Sequence, residues 1–353
     1  MNLATISAVL NLIFAEKIAA NFRRDAVLPN LLKVDPLGAT NSTATWKAKL
    51  AARNTANAVA EGHTVVDGDF STDTRKQATL PWAHYESYWS ISGTALRISA
   101  ANGAGGGDGL MNEEIIDALD ELTVNMSSDS YAGNVTNSPI EIEGLARAVK
   151  STAAYAGIDP AVDTTWAAAQ DTLAAASLSI ANLRTKLLRP YKDANGTMPE
   201  FVICDGTRWD LVAALGDTKA VINVDTLVTA NGTIKLAELG FRAIRIDGVP
   251  FIEDRHCTSA VFYALSSQNV SYMQTPPLAS SMDPAVLARA VKDLTGMDVA
   301  SNDIAAAQLM MRGRLTPQIN LLAKSGDSTR GQAVIDLQLK VRSRAKTAKL
   351  TLT

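Results

Sequence analysis

Asp254, His256 and Cys257 place three metal-ligating side-chain types within four residues. A zinc site needs three or four converging ligands, and neighbours along a strand point to opposite faces. The other two histidines, His63 and His84, lie far away in sequence, so the trio is an incomplete set. Asp67, Asp69, Ser71 and Asp73 open like a calcium loop. The sixth position of that loop is Thr72 where a glycine makes the turn, and the twelfth is Ala78 where a bidentate glutamate belongs. The stretch 103–109 is rich in glycine but lacks both the dinucleotide-binding spacing and a lysine to meet a phosphate, which makes it a turn. With three histidines and neither HExxH nor GxSxG, a hydrolase has few of its usual tools. The sequence predicts no catalytic residue, no cofactor and no metal, and the chain reads as a non-enzyme.

The bulk properties point the same way. A chain of 353 residues has room for two domains, or for one domain with projecting arms. Lys and Arg number 33 against 36 Asp and Glu, so the net charge of -3 gives no global attraction to nucleic acid. Any such contact must be local. Cys204 and Cys257 sit in hydrophobic segments without a pairing pattern, which suits a reducing cytosol. Residues 1–22 are apolar, but they lack a basic start and are interrupted by Glu16 and Lys17, which argues against a signal peptide. No run approaches the length of a membrane span.

The elements available to position any site alternate between helix and strand. Leu3, Ile6, Leu10, Ile13, Phe14, Ile18 and Phe22 recur at helical spacing and predict an amphipathic helix that stops before Pro29. Residues 41–79 are polar, with few large aliphatics, and predict a long two-stranded excursion or loop. Its first arm is basic (Lys47, Lys49, Arg53), whereas 61–73 is acidic. Trp82, Tyr85, Tyr88, Trp89, Ile91, Leu96 and Ile98 predict an aromatic strand, and Ile115, Ile116, Leu119, Leu122 and Met126 a long helix ending near Gly133. A second helix is expected over Leu173, Ile180, Leu183 and Leu187, stopping at Pro190. Beyond it lie a buried strand at 201–204, a helix to Gly216, strands at 241–246, 249–252 and 260–265, and a helix at 284–294. A last strand is expected at 333–352. The class is mixed α+β.

This order of parts resembles the major capsid proteins of tailed bacteriophages, which have the Hong Kong 97 fold. The stretches that carry the resemblance are Tyr131-Ala-Gly133, Ile142-Glu-Gly-Leu145, Tyr155-Ala-Gly-Ile-Asp159 with Trp166, Pro199-Glu-Phe-Val-Ile203, Leu239-Gly-Phe-Arg-Ala243 and Gly248-Val-Pro-Phe-Ile-Glu-Asp254 with Phe262-Tyr-Ala-Leu265. The resemblance implies an N-terminal arm at 1–40, an extended loop at 41–79 and a peripheral domain with a spine helix at 80–139. An axial domain would follow at 140–238, with a return to the peripheral sheet plus C-terminal strands at 239–353. Either 308–323 or 333–352 would supply the last sheet strand. It implies a shell subunit that assembles with itself into hexamers and pentamers around double-stranded DNA. The shell would form in the host bacterial cytoplasm and reside in the virion. Implied partners are a separate scaffolding protein, a portal and a decoration protein, with weak contact to packaged DNA and none to a membrane. Crosslinking through Lys47 or Lys49 is not expected, because no motif marks a partner.

Two surfaces follow as expectations. Leu3, Ile6, Leu10, Ile13 and Phe14 of the first helix, with Lys47, Lys49 and Arg53 of the loop, are candidates for subunit contact, with both segments packing on other subunits. Lys340, Arg342, Arg344 and Lys346 alternate along one face of the last strand, and are expected to guard an edge, to meet DNA or to lie at an interface. An encapsulin-like cargo compartment shares the fold and is the first rival reading. An α/β enzyme built on the strand-turn-helix at 201–215 is the second, although its turn carries neither a nucleophile elbow nor a phosphate cradle.

Overall fold

The computed structural model describes residues 27–35, 42–50, 61, 75–101, 107–216, 222–223, 226–229, 232–235, 242–275, 315, 317–322 and 327–353. The expected first helix with Leu3, Ile6, Leu10, Ile13 and Phe14, the loop residue Arg53 and the helix at 284–294 lie outside the described residues.

A five-stranded sheet is built around the long strand Ser328–Val341. Ala83–Ser92 runs antiparallel along ten residues of it, from Ser92 opposite Ser328 to Ala83 opposite Leu337. The other edge takes Gln318–Leu321 and then Val270–Gln274, and Lys33–Asp35 extends the sheet parallel to Val270–Gln274. Ala83–Ser92 alternates as the aromatic pattern predicts, with Ser87, Trp89 and Ile91 buried between exposed neighbours. Covering that buried face is the helix Gly107–Ala132, the spine, which presents Ile115, Leu119, Leu122 and Met126 to the core. Each aliphatic side chain so buried contributes roughly 1.5–3 kcal/mol. Polar bonds fix the strand on the helix, with the Tyr85 hydroxyl donating to Asp129 at 2.8 Å and Ser87 to Glu121 at 2.7 Å.

A seven-stranded sheet runs in the order Ala169–Leu173, Ala348–Leu352, Val261–Leu265, Phe201–Cys204, Val249–Glu253, Ala243–Ile246 and Ile222–Asn223. Its middle strands are buried on both faces, which explains their unbroken apolar runs. Alternate residues feed two cores. Phe201, Ile203, Tyr263 and Leu265 join the core of the spine helix. Val202, Cys204, Phe262 and Ala264 join a second core with Leu183, Leu187, Trp209 and Val212. The helix Gly206–Gly216 starts where the turn after the strand 201–204 was expected.

Several expectations are corrected. Residues 239–273 do not return as a block to the sheet of Ala83–Ser92. The strands at 243–246, 249–253 and 261–265 pair beside Phe201–Cys204, and the chain crosses only at Val270. The expected last strand is two strands, Ser328–Val341 in one sheet and Ala348–Leu352 in the other, separated by a short 3-10 turn at Arg344–Lys346. Gln318–Leu321 is also a sheet strand, so both tail segments contribute. Leu173 ends a strand instead of opening a helix. Pro190 does not stop its helix, because the π-helical turn Arg184–Leu188 shifts the preceding carbonyls before Arg189–Asn195 begins with the proline in its first turn. Pro29 likewise sits inside the helical turn Val27–Leu31, near a start where its missing N–H is no loss. Ile98, assigned to the aromatic strand, lies exposed in the helix Gly93–Ala101.

The excursion at 41–79 does contain a two-stranded hairpin, Thr43–Lys49 with Arg75–Pro81. Its base packs on its own chain, contrary to expectation. Ala44, Trp46, Ala48, Ala78 and Leu80 are buried in the first core, the Trp46 indole donates to the Val341 carbonyl at 2.9 Å, and its ring lies 6.3 Å from that of Tyr155. Trp46, an aromatic in an otherwise polar stretch, is the anchor.

Candidate functional site

The basic residues singled out at the C-terminus do not share a face. Lys340 is 8% exposed and ion-paired, across the intervening strand Val270–Gln274, with Asp35 on the edge strand. Arg344 is fully buried. Its guanidinium donates to the carbonyls of Ala148 at 2.8 Å, Ala153 at 2.7 Å and Arg147 at 3.3 Å, and also to that of Lys150. Burial draws its pKa down to about 10, with nearby Tyr155 and Glu143 opposing, so it keeps its charge at neutral pH. The expected alternation failed because side chains alternate only while the backbone stays extended, and the ladder ends at Val341. Neither Lys340 nor Arg344 can present its charge to DNA or to a neighbour.

Arg342 and Lys346 remain outward, and the structure brings them to the loop lysines. Lys47 and Lys49 are exposed on the same side of the hairpin strand, two residues and so about 6.6 Å apart. Lys49 stands opposite Arg75 in the hairpin ladder, and its amide donates to the Arg342 carbonyl at 2.7 Å. Lys47, Lys49, Arg75, Arg342 and Lys346 thus line one cleft of about 590 Å³ whose remaining described walls are polar or aromatic, with no carboxylate among the described lining residues.

Asn269 organises the C-terminal wall of this cleft. Its side chain accepts from the Ser343 amide at 2.9 Å and donates to the carbonyls of Ser343 at 2.8 Å and Lys346 at 3.1 Å. Its backbone carbonyl accepts from Arg342 at 2.9 Å. One buried amide side chain therefore holds the turn that displays Arg342 and Lys346. Arg75 and Asn269 escaped the sequence reading. Only the hairpin pairing of Lys49 with Arg75 was recoverable from sequence, by matching the two arms of the excursion.

Asp254, His256 and Cys257 serve structure. Asp254 is buried, accepts from the Tyr131 hydroxyl at 2.5 Å and from the His256 amide at 2.9 Å, and has its pKa raised, chiefly by burial. Burial also pushes the Cys204 and Cys257 thiols well up, keeping them protonated and poor nucleophiles. No cluster of three or more metal-ligating side chains occurs among the described residues.

No family model matches this chain, and no curated protein matches it. Solved structures do. The capsid asymmetric unit of cyanophage A-1(L) is similar with a TM-score of 0.60 at 16% identity, over 93% of this chain and 92% of that one. The native GTA particle capsid follows with a TM-score of 0.52 at 10% identity, over 92% and 89%. The SrpI encapsulin of Synechococcus elongatus has a TM-score of 0.51 at 11% identity, over 92% and 86%. The likeness is one of fold, and it agrees with the mixed α+β, Hong Kong 97-like shell fold that the order of parts implied.

Proposed function

We propose that this chain is the major capsid protein of a tailed phage, a structural subunit that assembles with itself into an icosahedral shell around double-stranded DNA. The observation that carries the reading is the likeness to the cyanophage capsid subunit, which runs over 93% of the chain. The fold contributes rigid sheets, and a shell subunit multiplies modest contacts by symmetry so that no single interface need be strong. On this reading the subunits form hexamers and pentamers, with the helix carrying Leu3, Ile6, Leu10, Ile13 and Phe14 reaching a neighbouring copy. A scaffolding protein, a portal and a decoration protein belong to the same proposal, as does residence in the virion after assembly in the bacterial cytoplasm.

An encapsulin-like compartment is the second reading, favoured by the similar length and fold of the SrpI subunit. Electron microscopy of the purified, concentrated full chain tests both, and closed shells are expected. Particles that persist as monomers at high concentration overturn the shell reading. Nuclease-protected DNA in shells taken from infected cells supports the capsid, whereas a co-purifying enzyme with no protected DNA supports the compartment. Deleting residues 1–21 should leave a folded subunit that no longer assembles, and normal shells from that variant would remove the arm from the interface.

A further inference from the structure

We infer that the cleft between the hairpin base and the C-terminal turn binds the phosphate backbone of duplex nucleic acid, through Lys47, Lys49, Arg342 and Lys346. The inference stands on the chemistry of the cleft and not on the shell reading. Several exposed cations elsewhere are neutralised within the chain, Lys76 by Asp163 at 2.8 Å, Arg242 by Glu253 at 3.1 Å and Arg184 by Asp247. Exposed cations such as Lys150, Lys192, Arg245 and Arg330 carry no ion pair among the described residues but do not line this cleft. The four residues named here pair with no acidic group among the described residues, although they converge on one concavity. Like charges held together cost free energy in the empty protein, and a cleft lined by one sign concentrates its field on anions.

Three features favour a phosphodiester backbone over an acidic peptide. First, protein partners anchor through apolar or aromatic side chains in desolvated pockets. Among the described lining residues the one aromatic side chain is Tyr191, which is buried at 2% exposure and offers no such socket. Second, separate exposed ion pairs with carboxylates contribute only about 0–1 kcal/mol each, whereas a polyanion adds the release of its condensed counterions. Third, single-stranded nucleic acid is held by stacking on exposed aromatics, of which there is none among the described lining residues, so the duplex is the better fit. Asn269 is a positioning residue here, because its three side-chain hydrogen bonds fix the turn that aims Arg342 and Lys346 into the cleft.

The test uses the full chain, unassembled, and a labelled 30-base-pair DNA duplex in fluorescence anisotropy between 25 and 200 mM salt. Four phosphate contacts predict a slope of about -3.6 in log affinity against log salt, with dissociation constants of about 10⁻⁴ to 10⁻⁶ M near physiological salt. Changing Lys47, Lys49, Arg342 and Lys346 to Gln should lower affinity at least tenfold and flatten the slope by about 3.6 units. A variant with Lys150, Lys192, Arg245 and Arg330 changed to Gln carries the same net charge and should bind as the parent does. Asn269→Ala, which keeps every cation, should weaken binding while circular dichroism verifies its fold. Equal losses in the two fourfold variants would reduce the effect to net charge and overturn the inference. So would tight binding of polyglutamate with none of the duplex, which would make the cleft a docking place for acidic protein segments. Electron microscopy of the same preparations reads shell formation separately, so failure of one proposal does not disguise failure of the other.

Discussion

Replacing Arg344 by Met removes a buried cation whose four acceptors are all backbone carbonyls, at Arg147, Ala148, Lys150 and Ala153. Methionine fills much of the volume but donates nothing. Leaving a buried acceptor without a donor costs about 1–3 kcal/mol, so four would cost up to about 12 kcal/mol if none could relax. The segment that bears them includes the solvent-exposed Lys150 and Thr152, so water can reach part of it. We therefore expect a net loss of about 3–5 kcal/mol, the range for breaking a buried charged interaction. Arg344→Lys keeps the charge but places three donors at one point, which cannot span carbonyls from residue 147 to residue 153. It should recover less than half of that loss. Guanidinium unfolding of the purified chain, with the slope compared between variants, reads the difference directly. A Met variant within about 1 kcal/mol of the parent would refute the reasoning, since it would mean that the carbonyl shell is satisfied equally well without the guanidinium.

Three further outcomes follow from the same structure. The raised pKa of Asp254 means that folding disfavours its charge, so its contribution is fully present below about pH 3.8, the ordinary carboxylate value, and is lost as pH rises through the folded value. Asp254→Asn should flatten stability against pH in that window, and an unchanged profile would show that the carboxyl ionises normally. His84 bonds Asp336 at 2.6 Å, which raises its pKa, so its contribution is present below about 6.5 and lost as pH rises through the folded value. With its side chain 54% exposed the effect should stay within a few tenths of a kcal/mol, and His84→Gln should abolish it in urea titrations at pH 6 and pH 8. A Cβ on Gly331 would fall 2.1 Å from the Trp89 ring, so Gly331→Ala should cost about 1–3 kcal/mol and red-shift tryptophan emission, and a neutral result would contradict the packing described.

Where one period governed a long stretch, the fold was legible. The two-residue alternation of Ala83–Ser92 and the helical recurrence of Ile115, Leu119, Leu122 and Met126 both survive in the structure because each segment buries a single face. Misreading came where the backbone changed state without a change in pattern. Leu96 and Ile98 extended an aromatic run although the strand ends at Ser92, and the cations from Lys340 to Lys346 kept a period of two across a turn. Sheet membership was harder still, since both sheets accept strands from the second half of the chain and pairing over 60 residues or more leaves no local mark. The cleft was legible in halves. Lys47 and Lys49 stood out as one basic group and Arg342 and Lys346 as another, but about 300 residues separate them, and Asn269, which aims the second pair, carries no charge to attract notice.

Besides the long route from Ser92 to Ala169, the chain makes two short crossings between its sheets, from Leu265 to Val270 and from Val341 to Ala348, and these two run side by side. Val270 pairs with Val341 on one side and Ala264 with Ala348 on the other, while Asn269 bonds across the gap to Ser343 and Lys346. A single passage would act as a pivot. Two parallel struts with a cross-tie make a brace, so a load on one sheet reaches the other as tension shared by both. Twisting the sheets against each other must shear Asn269 and the ladders beside it together rather than open them one at a time. The chain is accordingly stiff at the place where its two sheets meet, and any change of shape must be taken up elsewhere.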